Sequence, residues 1–206
     1  MDDVYYNEIE SISHGERVWH KVKTDNAFID ILDGFESYRP VYEKFIRSKG
    51  VVVQAGGYCG VFPRLLAEMF ETVYTFEPDS LNFFCLNLNC QNPNIIKAQG
   101  ALGNDYGLVS VIHQHRENRG MNYVLRTHKA TIPTYRIDDL DLQSCDLIQL
   151  DTEGYEFKIL QGSKNTIERF KPVISVEDAN DKIIEFLKNF GYSKVAEVYR
   201  DTVFAI

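Results

Sequence analysis

Val51-Val52-Val53-Gln54-Ala55-Gly56-Gly57-Tyr58-Cys59-Gly60 is a β-branched run that enters a cluster of glycines, and Val61 to Phe70 then places apolar residues at helical spacing. A strand that turns on glycine into a helix is a corner suited to ligands. Glycine lets the backbone turn tightly and approach a bound group, and the helix N-terminus offers unpaired N–H groups. Gly56 and Gly60 flank Tyr58 in a G-x-x-x-G spacing, so the G-x-G-x-x-G fingerprint of dinucleotide enzymes is absent. Taken alone, the stretch is equally a plain helix-opening turn.

Outward from this corner, strand and helix signals alternate. Val73 to Phe76 reads as a second strand, Ser80 with Asp79 beside it caps a helix through Cys90, and Ile95 to Ala98 reads as a third strand. Leu108 to Ile112 and Tyr123 to Tyr135 then look extended, with a turn at Asn118-Arg119-Gly120, which predicts a β-hairpin insertion where an α/β repeat would place a helix. Alternation resumes with a strand at Asp146 to Leu150, a helix at Tyr155 to Phe170, a strand at Val173 to Val176 and a helix at Asp181 to Phe190. Tyr192 to Val198 and Thr202 to Ile206 close the chain as a hairpin around Arg200-Asp201. The pattern predicts an α/β protein with a mainly parallel sheet covered on both faces and ligands outside the carboxyl ends of its strands.

Residues 1–50 differ in texture, with broken amphipathic pieces rich in aromatics such as Trp19, Phe28, Phe35, Tyr38 and Tyr42. Too short for a separate domain and too apolar for a free tail, they are expected to form a cap that closes over the cleft of a catalytic domain spanning 51–206.

The 206 residues are 44% hydrophobic and 25% charged, which excludes disorder and fibrous structure. A formal charge of -8 and a pI near 5.1 provide no global field for nucleic acid or an anionic membrane. Met1-Asp2-Asp3-Val4-Tyr5-Tyr6 lacks the basic flank and apolar run of a signal peptide, and no apolar stretch approaches spanning length, so a cytoplasmic protein is expected. Cys59, Cys85, Cys90 and Cys145 form no C-x-x-C pair and read as reduced thiols.

Three strand ends carry chemistry. Glu77 ends an apolar strand, 17 residues beyond Gly60, where a carboxylate can accept both hydroxyl protons of a ribose. Asp151-Thr152-Glu153-Gly154-Tyr155-Glu156 brackets a glycine with carboxylates where a buried strand meets a helix; Asp151 is expected to face the cleft, and Glu156 reads as a charge favoured by the helix dipole. Glu177-Asp178 ends the next strand and could join Asp151 around magnesium or calcium, but a loop leading to a helix cap at Asn180 or Asp181 is the simpler reading, and no metal site is assigned. The insertion carries Arg116, Arg119, Arg126, Lys129 and Arg136 against Glu117 alone, suggestive of a rim for an anionic acceptor.

The order of Gln54-Ala55-Gly56-Gly57-Tyr58-Cys59-Gly60, Tyr74-Thr75-Phe76-Glu77-Pro78, Gly100-Ala101-Leu102-Gly103 and Asp151-Thr152-Glu153-Gly154-Tyr155-Glu156, followed by Leu160-Gln161-Gly162 and Lys171 to Glu177, resembles the FkbM-type S-adenosylmethionine-dependent methyltransferases. The resemblance implies a Rossmann-like class I methyltransferase fold with a seven-stranded sheet, S-adenosylmethionine as methyl donor, and a hydroxyl acceptor on a sugar or other small molecule. It implies that Gln54, Gly56, Gly57, Tyr58 and Gly60 lie along the methionine portion, that Glu77 holds the ribose, and that Pro78, Gly100 and Ala101 border the adenine. Gln54 stands where the family usually carries an acid, and Gln149 where a lysine is common.

An alcohol acceptor must lose its proton as the methyl arrives, so a base is needed on a strand-end loop. Asp151 is the favoured carboxylate, with Glu153 next; Glu177, His113 and His115 are the other candidates. Two alternatives stay open, a nicotinamide-dependent oxidoreductase and a nucleoside-binding module without turnover.

Overall fold

A computed structural model describes residues 5–206, so Met1 to Val4, read above as part of a leaderless start, lie outside the described residues. Seven strands form the central sheet in the order β12-β13-β11-β10-β3-β4-β5. They are β3 (Val51–Ala55), β4 (Thr72–Glu77), β5 (Ile95–Gln99), β10 (Leu147–Leu150), β11 (Val173–Glu177), β12 (Ser193–Val198) and β13 (Asp201–Ala205). From β5 across to β11 every pairing is parallel, while the closing hairpin of β12 and β13 adds antiparallel strands. Both predicted features, the mainly parallel sheet and the terminal hairpin, are present.

Alternating side chains divide the sheet between two cores. Val52, Val73, Leu147 and Val173 face one, and Val53, Phe76, Ile148 and Ile174 face the other. On the first face, two residues further along, Thr75, Gln54, Gln149 and Ser175 stand side by side in register, a row of buried polar groups just short of the strand ends. Four polar side chains at this depth cost stability unless they are hydrogen-bonded.

The first face is covered by α3 (Val61–Leu66) and α4 (Ser80–Asn89) and by the N-terminal segment. Where broken amphipathic pieces were expected, that segment forms a β-hairpin, β1 (Ile9–His14) with β2 (Arg17–Val22), turning on Gly15, followed by α1 (Phe28–Gly34) and α2 (Arg39–Phe45). Trp19, Phe28, Phe35 and Tyr42 are fully buried. Rings of that size remove roughly 150–250 Å² each from water, so the segment is a layer of the core as well as a neighbour of the cleft. Asp79, rather than Ser80, caps α4: its side chain accepts from Leu81 N and Asn82 N.

The other face is covered by α5 (Glu156–Gln161), α6 (Lys164–Phe170) and α7 (Asp181–Lys188). The single helix expected over 155–170 is broken because Gly162 passes so close to the neighbouring loop that a Cβ there would lie 2.0 Å from the Gly103 carbonyl. Asn180 caps α7 with its side chain. The insertion is present and larger than a hairpin: β6 (Ala101–Leu102), β7 (Gly107–Ile112), β8 (Tyr123–Leu125) and β9 (Ile132–Tyr135) form a four-stranded sheet in the order β6-β9-β7-β8. No helix among the described residues is long and apolar enough to cross a membrane.

Candidate functional site

A cavity of about 600 Å³ lies along the carboxyl ends of β3, β4, β10 and β11, within the range of roughly 300–1,000 Å³ usual for small-molecule sites. Its floor is made by the loops after these strands. Its sides come from Ala27, Ile31 and Tyr38 of the N-terminal segment and from Arg119 to Asn122 of the insertion.

At one end, the glycine turn folds onto the strands beside it. Gly56 N and Gly57 N both donate to the Phe76 carbonyl, at 3.1 and 2.9 Å. Gly56 has φ +84, and a Cβ on it would lie 1.7 Å from the Asp151 carbonyl oxygen, so only glycine lets β3 and β10 end this close together. Tyr58 follows with φ 49, a left-handed conformation unusual for an aromatic residue, and this aims its N–H at Glu77 Oε2, 2.6 Å away. Asp79 N donates to Glu77 Oε1 at 2.8 Å. Each carboxylate oxygen of Glu77 thus holds one backbone donor and keeps a lone pair for a ligand. Burial, reinforced by the negative charge of Asp79, pushes the Glu77 carboxyl up to about 8.

At the other end, carboxylates face one another. Oxygens of Asp151, Glu153 and Glu177 all lie within 4.8 Å of one another. Asp151 is held well above the usual carboxylate range by burial and then by the charge of Glu177, with which it is hydrogen-bonded. Glu153, at φ 51 beside Gly154, is raised to about 7 by burial and by Glu177. Burial also raises Glu177, although Arg200 Nη1 lies 2.9 Å from it. Asp201, buried beneath, rises to about 6 for want of solvent while Ser175 Oγ and Tyr38 OH donate to it at 2.8 and 3.3 Å. A cluster of acids with depressed acidity can accept, hold and pass a proton near neutral pH; its oxygens are also of the kind that ligate a divalent cation.

Gly56, Gly57, Tyr58, Glu77, Pro78, Ala101, Asp151 and Glu153 all line the cavity. Three other expected contacts do not. Gln54 accepts from Thr75 Oγ1 at 2.5 Å and donates to the Gly56 carbonyl at 2.8 Å, so its amide braces the turn from within the sheet. Gly60, at φ +90, lets α4 pack close, since a Cβ there would meet Cys90 Sγ at 2.8 Å and Leu86 Cα at 3.1 Å. Gly100 makes room for the Tyr135 ring, 2.6 Å from where its Cβ would be. Glu156 lies in the first turn of α5 as expected, but it is also buried, and its Oε1 accepts from Thr152 N, Thr152 Oγ1 and Gly154 N, which fixes the loop carrying Asp151 and Glu153.

Neither His113 nor His115 lines the cavity; His113 Nδ1 stands 3.4 Å from Asp79 Oδ2 on its outer side. Asp178 turns out to Arg200, leaving Glu177 alone of that pair at the site. The insertion's positive charge is also largely spent, because Arg119, Arg126 and Arg136 pair with Asp79, Asp105 and Asp139. Sequence reasoning missed Asp25, Tyr38, Arg200 and Asp201, which lie in unremarkable local sequence and gain meaning only by the packing of distant segments.

A family model described as the methyltransferase FkbM domain matches residues 58–194. No curated protein matches the sequence. Among solved structures, the crystal structure of methyltransferase FkbM from Methylobacillus flagellatus KT is 14% identical at a TM-score of 0.52, covering 88% of this chain and 61% of that one. TYW2 of M. jannaschii, solved in complex with AdoMet, is 15% identical at a TM-score of 0.51, covering 96% and 86%. Ribosomal protein L11 methylase from Lactobacillus delbrueckii subsp. bulgaricus is 10% identical at 0.51, covering 84% and 77%. These likenesses show a Rossmann-like class I methyltransferase fold, and the chain spans 61% of the length of the Methylobacillus protein.

Proposed function

Because the chain belongs to the FkbM methyltransferase domain family, matched over residues 58–194, we propose that it transfers a methyl group from S-adenosylmethionine to a hydroxyl of a sugar or similar small molecule. One observation carries this reading: a buried carboxylate fixed by two backbone N–H groups stands beside a glycine turn at one end of the cavity, and a proton-accepting cluster stands at the other.

The residues present suit the donor. Glu77 has lone pairs directed at ribose hydroxyls, and the cavity's carboxylates suit a sulfonium and an ammonium. Asn122 Oδ1, in the cavity wall, is buried without a hydrogen-bond partner among the described residues, an acceptor that a purine amino group would satisfy. Gln54 supplies no charge and its amide is engaged, so the ammonium would rely on the other acids. When bound, S-adenosylmethionine supplies a methyl carbon already activated by its sulfonium leaving group.

The chain's own task is then alignment and deprotonation. Asp151 and Glu153 would flank the acceptor and take the proton that its hydroxyl must lose, with Asp151 the first acceptor in its ionised form. Burial, and then repulsion from Glu177, set how readily Asp151 ionises, while Arg200 offsets the charge of Glu177. Residues 5–50 act as a cap, shielding the reaction from water by the wall they contribute. With three insertion arginines paired, an uncharged acceptor fits better than the anionic one the sequence suggested, and the whole is proposed to work as a cytoplasmic enzyme on a small molecule.

The test is transfer of labelled methyl from S-adenosylmethionine to a panel of neutral, acidic and amino sugars, with and without a chelator. Labelled neutral product insensitive to chelation is expected. No labelled product with any acceptor, despite donor binding, would favour the module without turnover; chelator-sensitive turnover would make the acids cation ligands.

A further inference from the structure

Five residues from three distant parts of the chain form a closed circuit of hydrogen bonds beside the proposed nucleoside end. Tyr58 N donates to Glu77 Oε2 at 2.6 Å, and the Tyr58 hydroxyl donates to Asp25 Oδ2 of the N-terminal segment. Asp25 Oδ2 also accepts from Arg119 N of the insertion at 3.3 Å. The Arg119 guanidinium grips Asp79 with two bonds of 2.7 and 2.8 Å, and Asp79 N returns to Glu77 Oε1 at 2.8 Å. Asp25, Tyr58, Glu77 and Asp79 are all buried. Asn26 N, donating to the Glu117 carbonyl at 2.8 Å, ties the two outer segments directly to each other.

The circuit contains three carboxylates and one cation. Arg119 therefore supplies its only positive charge, and it bonds both neighbours of the insertion, the cap segment through its backbone N–H and the Asp79 that opens α4 through its guanidinium. Both bonds to Asp79 come from Nη2, while Nε donates to Asn82 Oδ1 at 3.2 Å, so the planar guanidinium spans two partners at once in a way an ammonium does not. Asp79 is doubly committed, since the carboxylate that receives Arg119 also caps α4. The backbone bonds that orient Glu77 thus belong to the same circuit that holds the roof of the cavity.

We infer that Arg119 is a positioning residue for the nucleoside: it locks residues 25–27 and 117–122 over the cavity through the circuit that aims Glu77, so that ribose binding and closure of this roof reinforce each other. This rests on the reading of Glu77 as the ribose ligand. Linkage requires the reinforcement to be mutual: whatever factor a closed circuit adds to nucleoside affinity, bound nucleoside adds to closure.

The test measures affinity and dissociation rate for S-adenosylhomocysteine, together with amide hydrogen exchange over residues 25–27 and 117–122 with and without that ligand. In the wild-type protein the ligand should slow exchange in both segments. Arg119→Gln should weaken binding tenfold or more, mainly through faster dissociation, and abolish the ligand-dependent protection, while Arg119→Lys recovers part of each. A merely structural role would lower melting temperature without moving the ligand-dependent protection. Should Arg119→Gln fail to fold, Tyr58→Phe deletes one bond of the circuit and should show the same pattern at a few-fold. Unchanged dissociation and protection in a folded variant would overturn the inference and leave the donor reading standing. Absence of binding to the wild-type protein would overturn both.

Discussion

The two ends of the cavity use the same functional group in opposite ways. Glu77 and Asp151 each stand at the end of a parallel strand, and burial lifts both carboxyls above the ordinary range. Glu77, however, is tied by backbone N–H groups, whereas Asp151 meets other carboxylates in Glu177 and Glu153. Backbone donors fix an oxygen in place, and facing acids leave a proton free to move. Position at a strand end is therefore not enough to assign a role; in the proposed function it is the neighbours that make Glu77 a grip for the ligand and Asp151 the handler of its proton.

The sharpest way to break the contrast is to remove the residue both ends share. Gly56→Ala would drive a methyl group into the Asp151 carbonyl at a positive φ, and overpacking together with backbone strain should cost about 3 kcal/mol or more, read as a shift of the urea midpoint. Near-normal stability would mean that the two strand ends are not locked together as described.

Asp151→Asn separates the ends chemically. Turnover should fall by roughly 10²–10⁴-fold, the usual contribution of a positioned base, while donor affinity stays within a few-fold. Normal turnover at saturation with lost donor affinity would move Asp151 to the nucleoside end.

Titration distinguishes them more gently. Glu77 near 8 and Glu153 near 7 hold protons in the folded state that the unfolded chain, with glutamates near 4.3, has released. Such groups contribute stability that is present below about pH 4.3 and lost as pH rises through about 7 to 8, so their contribution to unfolding free energy falls across that window. Glu77→Gln and Glu153→Gln should each flatten the slope in denaturation series at successive pH values. The rate should move the other way, rising as the acceptor-side acids ionise; an unchanged slope in both variants would remove these groups from the linkage.

The polar row beneath the cleft was invisible as a row in the sequence, because Thr75, Gln54, Gln149 and Ser175 become neighbours only through strand order and register. The strands themselves were legible, since β-branched runs bounded by glycine or proline carry their own signal. So were Glu77 and Asp151, each ending such a run. Gln54, Gly60 and Gly100 were legible as motif residues but not as framework, because a motif records which residues occur together and not which way they point. The hairpin at 9–22 was missed because β1 buries only Ile9 and β2 buries Lys21 beside Trp19 and Val22, so neither strand shows a clean apolar alternation. Arg119 showed only as one charge among five; its partners Asp79 and Asp25 lie far off in sequence.

That row also offers the smallest test. The Gln149 amide lies near Asp201 without a well-formed hydrogen bond. Gln149→Met keeps its length and removes an unsatisfied buried polar group, so stability should stay level or rise by about 1 kcal/mol. A loss of several kcal/mol would show Gln149 to be a bonded member of the site.

The central claim, that the end built around Glu77 holds the ribose of S-adenosylmethionine, is tested most directly by titration calorimetry of that donor and of a nicotinamide dinucleotide into wild-type protein and Glu77→Ala. Above about pH 8, where Glu77 is ionised, the account predicts binding of the sulfonium nucleoside alone, weakened in the variant by about 1.5–3 kcal/mol, the range for hydrogen bonds to a charged group. Equal affinity in the two proteins, or binding of the dinucleotide in its place, would contradict it.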